Sequence, residues 1–593
     1  MTPAPEEPAV ALRAVWIALV ALTIARAALA FVPSMWAWGL NLQRFLPPLE
    51  GWGLWSLAVL ALVPALGARL EPWAERAGDA LARTPATPVA ALAIVGLAIG
   101  LLAWALSDQL YFVGDFLLRL GAARNGTSVA TIFPQAQPLD LFLHHALPER
   151  LASLFDADVL TAERVLGALE VAAFAMLAVA FVRALGLRGA PAFMATTIVM
   201  FGGYVGLFTG YGKSIRELCL ATLAAGVFGL GVIRSGRGLV ALGLTTAAGL
   251  ALHRSALALL VPFTLALVLG FRHYGRDGAG RRGTVFVGVA IPLVTLALLG
   301  PHIAGVIRSV DARHVTPGGA GLGDALGAAL RVEHLREVAN LLLLLSPVCV
   351  PALVAAVAGG ARPGRVPEGL FLLTLAAAFA GPLFFVHPTQ GEFRDWDVFA
   401  FAAVAITMVA AWALGRTLES SARPRGLAVA LALAAFVPTA QWLLSNHELP
   451  TGLARVKSYL EELPRRSDQD RTLAWDYLGT RMTWLDSLDA GADALAHAAT
   501  ITPTPRLLYK WANAEAARGH YAASRDILLQ LTAKAGTWPD AWAALAFVSQ
   551  QLADTSAARD AAVRALGLNP RDEMARDVMK AVGQGGSGRA PAR

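Results

Sequence analysis

Apolar segments of membrane-spanning length dominate the first three quarters of this chain. A helix needs about 20 apolar residues to cross the hydrocarbon core of a bilayer. Charged residues make up 15% of the chain, whereas soluble domains average about 25%. The sequence therefore predicts an all-α fold that begins with a polytopic transmembrane bundle of about thirteen spans. The predicted spans are 13–32, 51–69, 88–106, 164–183, 190–209, 217–233, 237–252, 255–271, 284–301, 338–358, 369–386, 398–415 and 426–444.

Basic residues in the loops indicate how this bundle is oriented. Arg and Lys accumulate in cytoplasmic loops, and the most basic loop of this chain is 272–282. If that loop is cytoplasmic, the N-terminus is also cytoplasmic and the C-terminal part is periplasmic, as in a protein of the bacterial inner membrane. The same alternation places further basic residues on the cytoplasmic side: Arg183, Arg188, Arg234, Arg237, Arg362, Arg365, Arg416, Arg423 and Arg425. A signal-peptide interpretation of the first span rests on the small residues at 28–30, but Glu6 and Glu7 favour a retained span.

The chain changes character after about residue 445, where charged residues become regular. The stretch 446–471 is predicted to be a charged connector and 584–593 a disordered tail. Between them, 472–583 repeats with a period near 34, which is typical of tetratricopeptide repeats. This pattern predicts an α-solenoid that binds a protein or peptide partner, and the alternative is a generic helical bundle.

Charge and cysteine content exclude some functions. The formal net charge of +7 is explained by the basic cytoplasmic loops and does not indicate nucleic-acid binding. Cys219 and Cys349 both lie in apolar segments, so a stabilising disulfide is not expected. The expected partners are membrane lipids, a lipid-linked substrate and a protein.

Polar clusters occur in four segments that the alternation of spans places on the outer face, and we expect them to meet in one cavity. The first is a long outer loop at 107–160. The others are a glycine turn at 210–217, a short polar segment at 253–255, and the stretch 387–397, which combines a His, an Arg and three carboxylates. The candidate residues are Asp108, Asp115, Arg119, Lys213, Arg216, His253, Arg254, Arg394, Asp395 and Asp397.

Cations and carboxylates of this kind suit a reaction on a phosphorylated lipid. Arg and Lys side chains would bind the phosphate, and a nearby carboxylate would act as a general base on an acceptor hydroxyl. Some residues also have structural interpretations. Asp395 or Asp397 would cap the following helix, and Ser255 would cap its own helix. Lys213 and Arg216 would contact lipid headgroups. His144 and His145 are expected to be solvated and not to bind a metal.

Four segments carry a resemblance to a known superfamily. They read GDFLLR at 114–119, GYGKSIRE at 210–217, LHRSALALLVP at 252–262 and RDWDVFAF at 394–401. Together they resemble the polytopic glycosyltransferases of the GT-C superfamily, over about 90–415. The resemblance implies a catalytic domain at 88–445, preceded by extra spans at 1–87. It also implies a polyprenyl-phosphate-linked sugar donor, with Asp115 as the base and Asp108 as second choice.

The remaining candidate residues follow from that expectation. Arg119, Lys213, Arg216, His253, Arg254, Arg394, Asp395 and Asp397 would bind the donor phosphate or the substrate. The sequence assigns no metal ligand and no certain cofactor, and it leaves open whether a divalent cation assists the phosphate. Two alternatives remain, a transporter or flippase and a non-enzymatic assembly scaffold, both with an outward-facing protein-binding domain.

Overall fold

A computed structural model describes residues 7–82, 89–112, 114–124, 128–273, 279–312, 322–388, 390–419 and 424–584. Over those residues the chain is all-α and contains no strand. It divides into two compact units, Met1–Pro464 and Arg465–Arg593. The division falls inside the predicted connector. The first half of that connector forms a helix that belongs to the first unit.

The first unit contains 21 helices in the described residues, several of them short. In chain order they are α1 (Glu7–Ala30), α2 (Pro48–Leu62), α3 (Pro64–Ala82), α4 (Val89–Ala105), α5 (Asp115–Arg124), α6 (Val129–Ile132), α7 (Pro138–Leu141), α8 (Leu147–Phe155), α9 (Val159–Leu185), α10 (Gly189–Met200), α11 (Ile215–Ser235), α12 (Leu239–Leu252), α13 (Leu260–Gly270), α14 (Ala279–Val306), α15 (Leu322–Ala329), α16 (Val332–Leu345), α17 (Cys349–Val357), α18 (Pro367–Leu383), α19 (Ala400–Leu418), α20 (Leu427–His447) and α21 (Leu449–Glu461). Tighter or wider helical turns occupy Leu42–Arg44, Phe142–Ala146, Gly203–Thr209, Arg254–Leu259, Phe271–His273, Ile307–Asp311, Pro363–Arg365 and Trp396–Phe399.

Seven helices in the described residues are long and apolar enough to cross a membrane, or up to ten if each of three bent pairs forms one span. The bends are 90° between α2 and α3, 56° after α10 and 102° between α16 and α17. The shorter helices α4, α12 and α18 are also apolar. All thirteen predicted segments coincide with one of these helices or pairs. The number of crossings itself stays a prediction, because only seven helices qualify on their own.

Burial separates the helices at the centre of the first unit from those at its edge. Helix α19 is almost entirely enclosed, and α11 and α20 are mostly so. By contrast, α14 exposes most of its surface, including Phe286 and Leu298, each about three-quarters exposed. Monomeric soluble proteins rarely expose continuous apolar surface of this extent. An apolar surface around an apolar core is the arrangement expected of a bundle surrounded by lipid.

One end of the bundle gathers basic residues that the sequence places on the cytoplasmic side. The last carbonyls of α9 have no partner within the helix. Arg234 donates to the carbonyl oxygens of Ala184 and Leu185 at 2.5 and 3.2 Å, and Arg416 donates to Leu185 at 2.7 Å. The last turns of α11 and α19, which are distant in sequence, therefore meet at the C-terminal end of α9. At the opposite end of α9, the side chain of Asp158 caps the helix by accepting the Thr161 amide at 2.9 Å.

The second unit is built from helical hairpins. Its helices are α22 (Asp468–Trp484), α23 (Leu488–Ile501), α24 (Pro505–Ala517), α25 (Tyr521–Lys534), α26 (Pro539–Gln551), α27 (Thr555–Leu568) and α28 (Glu573–Gln584), and each packs on the next.

The hairpin turns have left-handed residues at positions 486, 519 and 553, so the turn recurs every 33 or 34 residues. Gly479 allows α22 and α23 to approach closely, because an added Cβ would lie 2.5 Å from Leu495.

Candidate functional site

A cavity of about 610 Å³ lies in the first unit, and most of the sequence-predicted polar clusters contribute to it. This is within the range of about 300–1,000 Å³ that is usual for small-molecule sites. Its cationic side chains are Arg119 from α5, Lys213 from the glycine turn and Arg254 from the turn after α12. The expectation that separate outer segments meet in one cavity is therefore met for these residues, and for His253 and Asp395. We call this space the amphipathic cavity.

Each cation of the amphipathic cavity is paired with a carboxylate. Arg119 donates to both oxygens of Asp140 at 2.9 and 3.0 Å. Arg254 makes a similar two-point contact with Asp311 at 2.5 and 2.6 Å.

Lys213 lies 2.8 Å from Asp397. Three like charges around one cavity repel each other, and the paired carboxylates offset that repulsion. An anion entering the cavity would share or replace these partners.

Other parts of the cavity wall are apolar. They are formed by Leu257 and Ala258, by Ile307 at the end of α14, and by Phe379 and Leu383 on α18. Because cationic groups and an apolar wall border the same space, the cavity suits a molecule with an anionic head and a hydrocarbon tail.

The glycine turn before α11 positions Lys213. Gly210 has φ +116°, which strongly favours glycine. Gly212 packs against the ring of Phe116, where a Cβ would lie 2.3 Å from a ring carbon. Both glycines therefore allow the chain to turn close to α5, and this turn brings Lys213 to the cavity.

His253 and Arg254 follow directly after the short helix α12. The side chain of His253, and not the expected Ser255, caps the following turn by accepting the Ser255 amide at 3.2 Å. Burial, together with the cations Arg254 and Lys213, holds the pKa of His253 well below its usual range. His253 is therefore a neutral group in a cationic part of the cavity.

Arg394 and Asp397 are buried behind the cavity, while Asp395 borders it. Arg394 donates to the Phe112 carbonyl at 3.1 Å, and its guanidinium lies 5.1 Å from the centre of the Phe112 ring. It thus holds the stretch 387–397 against the first outer loop instead of lining the cavity as expected. Asp395 occupies a helix N-cap position, but its side chain does not cap the helix.

Arg216 is a correction to the sequence analysis, which expected it to bind a phosphate. Its guanidinium is fully buried and pairs with Glu163 at 2.8 Å, with Glu217 at 2.9 Å and with Glu170. It lies three residues after Lys213 but in the first turn of α11, which directs it into the bundle toward α9.

His144 is a second correction, because it is buried and not solvated. Its Nε2 lies 3.0 Å from Glu217 and its Nδ1 lies 3.4 Å from Glu163. We call His144, Glu163, Glu170, Arg216 and Glu217 the Arg216 cluster.

Burial opposes protonation of His144, but Glu217 and Glu163 outweigh it and raise the pKa of His144 to about 10. An imidazolium in this place joins the first outer loop to α9 and α11.

The two candidate bases have different positions. Asp108 is buried outside the cavity lining, where it accepts hydrogen bonds from the Tyr111 amide and the Tyr211 hydroxyl, both at 2.6 Å. These bonds make it a residue that holds the outer loop to the glycine turn. Asp115 begins α5, and its side chain lies outside the described part of the structure.

Sequence analysis missed two carboxylates of the cavity, Asp140 and Asp311. Asp140 lies four residues before His144 in the first outer loop, which is the spacing of two residues on one face of a helix. Since Arg119 is in the same loop, this spacing could have identified Asp140 as a partner for that cation. Asp311 lies just beyond the predicted span 284–301, because the helix and its final turn continue to residue 311.

Comparisons with known proteins add little. No protein-family model matches the chain, and no curated protein matches it. Among solved structures, a chain in the crystal structure of the APC/C hetero-tetramer Cut9–Hcn1 matches with 12% identity and a TM-score of 0.20, over 79% of this chain and 95% of that chain. A TM-score of this size does not indicate a shared overall fold.

Proposed function

We propose that this chain is a GT-C-type membrane glycosyltransferase that transfers a sugar from a polyprenyl-phosphate-linked donor to an acceptor on the periplasmic face. The observation that carries the proposal is the amphipathic cavity. Three cationic side chains and an apolar wall border one space of about 610 Å³. A lipid phosphate has both kinds of surface, whereas a soluble sugar or an inorganic anion has only one.

The donor phosphate would bind between Lys213 and Arg254, with Arg119 nearby. Guanidinium groups bind phosphate oxygens through two parallel hydrogen bonds, and Arg254 already presents both donors to Asp311. Asp311 is about a quarter exposed, so it can turn to solvent when a phosphate takes its place. The polyprenyl chain would lie along Phe379 and Leu383, which also face the cavity.

The transfer step needs a carboxylate beside the phosphate. The acceptor hydroxyl gives its proton to this base and attacks the anomeric carbon of the sugar, and the bond from that carbon to the phosphate oxygen breaks. The leaving phosphate gains negative charge, which the bordering cations stabilise. The base is Asp115 by the GT-C resemblance, and Asp395 is the alternative carboxylate at the cavity. Attack from the side opposite the leaving phosphate inverts the sugar configuration.

The placement of charges supports an outer-face reaction. Arg234 and Arg416 converge on the last turn of α9, at Leu185, while the Arg216 cluster includes Glu163 near the start of the same helix. If the basic end is cytoplasmic, the Arg216 cluster is on the periplasmic side.

The second unit supports a role in recruiting a protein. Its hairpins recur every 33 or 34 residues, which is the tetratricopeptide period. Stacked repeats of this kind bind peptides or proteins on their concave surface. We infer that the unit recruits the acceptor protein or an assembly partner.

The proposal is tested with the full chain in nanodiscs and a radiolabelled polyprenyl-phosphate hexose. Arg254→Leu should weaken donor binding at least tenfold, on the order of 1.4 kcal/mol, because it removes a charged contact to the phosphate. The control is Arg308→Leu, which removes the same charge from an exposed position three residues before Asp311. Equal binding by wild type and Arg254→Leu would remove the physical basis of the proposal.

A second measurement separates the enzyme from a flippase, which would need a similar cavity. Asp115→Asn and Asp395→Asn are assayed for donor binding, sugar transfer to a hydroxyl-containing peptide, and movement of the lipid between leaflets. A transferase loses sugar transfer in one of these variants while it still binds the donor. Lipid movement without transfer by the wild type would favour the flippase, and neither activity would favour the scaffold.

A further inference from the structure

Two histidines and a glutamate form a compact group in the first unit, separate from the cations of the amphipathic cavity. His334 is at the start of α16, and His387 and Glu392 are in the outer stretch 387–397. Each contributes one potential ligand atom, and these atoms all lie within 4.8 Å of one another. His334 Nδ1 is 3.0 Å from a carboxylate oxygen of Glu392, and the two imidazole centres are 4.2 Å apart.

The orientation of His334 is fixed by a second contact. Its Nε2 lies 2.9 Å from the carbonyl oxygen of Phe384. A carbonyl only accepts hydrogen bonds, so Nε2 carries the proton in this contact. In a neutral ring, Nδ1 then presents a lone pair to the Glu392 carboxylate, which is also an acceptor. Two acceptor atoms that face each other at 3.0 Å form a place where a cation bound between them would be stabilised.

We propose that His334, His387 and Glu392 form a binding site for a divalent transition metal of the zinc class. Two imidazoles and one carboxylate are the protein ligands of a common type of zinc site, which keeps one position for water. Ligands about 2.0–2.2 Å from zinc at tetrahedral angles are roughly 3.3 Å from each other. The observed group needs only small side-chain movements to reach that spacing.

The surrounding contacts agree with a metal site of this class. Histidines that bind metals almost always donate their other ring N–H to a carbonyl or a carboxylate, as His334 does to Phe384. Magnesium and calcium prefer oxygen ligands, so two imidazoles favour zinc over those ions. His334 is buried, while His387 and Glu392 are partly exposed, so an ion can reach the site from outside.

The metal would hold one wall of the amphipathic cavity in place. His387 lies between Val386 and Pro388, and both of these residues line the cavity. An ion bound to His387 and Glu392 on one side and to His334 on the other would join the outer stretch to α16. This role does not depend on the proposed function, because any ligand of the cavity would contact the same wall.

The test uses the purified full chain, stripped with a chelator and then titrated with zinc against a chromophoric competitor. We expect about one tightly bound zinc per chain in the wild type. His387→Ala and Glu392→Gln should each weaken zinc binding at least tenfold, because each removes a ligand. The control His302→Ala changes an exposed histidine at the end of α14 and should bind zinc like the wild type.

Two further readouts keep the result independent of glycosyltransferase activity. Cobalt substitution should give visible absorption bands in the wild type that His387→Ala loses. Zinc should also raise the thermal stability of the wild type and of His302→Ala, because it binds only the folded state. Unchanged zinc affinity in both ligand variants, or no zinc bound by the wild type, would overturn the proposal. The His334–Glu392 contact would then be a direct contact of the two side chains without a metal ion.

Discussion

Arg216 and Arg254 both pair with carboxylates, but only Arg254 borders the amphipathic cavity. The side chain of Arg216 is fully buried among Glu163, Glu170 and Glu217. That of Arg254 is 17% exposed and has one carboxylate partner, Asp311, besides a 3.2 Å contact with His253. A buried cation surrounded by carboxylates has no face left for a ligand. A cation whose one carboxylate partner is partly exposed can exchange that partner for a phosphate.

This difference distinguishes structural from ligand-binding charges more reliably than residue type does. Breaking a buried ion pair leaves a charge without compensation in a medium of low dielectric constant, which is strongly unfavourable. Removing a partly exposed partner allows the remaining group to be hydrated. The Arg216 cluster should therefore affect stability, and the cavity cations should affect binding.

The largest effect is expected for Arg216→Met. It removes the guanidinium that the buried Glu163 and Glu217 share with the partly buried Glu170, and we expect a loss of about 3–5 kcal/mol in stability. Thermal and denaturant unfolding in detergent would measure it. Arg254→Met is the matched control, because it removes the same group from a partly exposed pair and should cost less than about 1 kcal/mol. Equal destabilisation by the two variants would contradict the distinction.

A pH-dependent effect is expected for His144. In the folded state Glu217 and Glu163 outweigh burial and raise its pKa to about 10, whereas an unfolded histidine titrates near 6.5. Since the folded pKa is the higher one, the stabilisation is complete below about pH 6.5 and declines as the pH rises toward about 10. The melting temperature of the wild type minus that of His144→Phe should therefore be larger at about pH 6 than at about pH 9.

The control for this experiment is His145→Phe. His145 is in the same helical turn but is partly exposed and pairs with Glu149 at the surface, at 3.1 Å. Its substitution tests whether the turn itself tolerates an aromatic ring. A difference between wild type and His144→Phe that stays constant over this pH range would show that His144 is not charged in the cluster.

The sequence could predict which charged residues lie near the same ends of the helices, but not which way their side chains point. Alternation of spans placed Lys213 and Arg254 at the same end of the bundle, and the structure brings both to one cavity. The alternation of spans could not show that Lys213 borders the cavity while Arg216 points into the bundle, because the direction of Arg216 depends on how α11 is rotated.

The spacing of two glutamates in the sequence contained information on the direction of Arg216. Glu163 and Glu170 are seven residues apart on the apolar helix α9, and therefore on one face. Two carboxylates on one face of an apolar helix need a cation, and Arg216 supplies it. The fold class and the helical segments follow from the hydrophobic pattern alone, whereas partner choice requires the packing of the helices.

A smaller effect is expected for Lys213, whose substitution should change both ligand binding and stability. It borders the cavity with 19% of its side chain exposed, but its partner Asp397 is fully buried. Lys213→Met should weaken donor binding and also destabilise the protein by about 1–3 kcal/mol, because a buried carboxylate loses a charged partner. The double variant Lys213→Met, Asp397→Asn should recover stability without recovering binding. Recovery of both would show that Lys213 only compensates Asp397.

The smallest effect is expected for a surface pair with good geometry. Arg44 donates to both oxygens of Glu462 at 2.7 and 2.6 Å, yet each side chain remains about a fifth exposed. Water and salt screen such a pair, so a double-mutant cycle with Arg44→Ala and Glu462→Ala should give a coupling energy of roughly 0.2–1 kcal/mol. The coupling should also decrease as salt is added. A coupling as large as the effect of Arg216→Met would mean that hydrogen-bond geometry, and not access to solvent, sets the energy of the ion pairs in this protein.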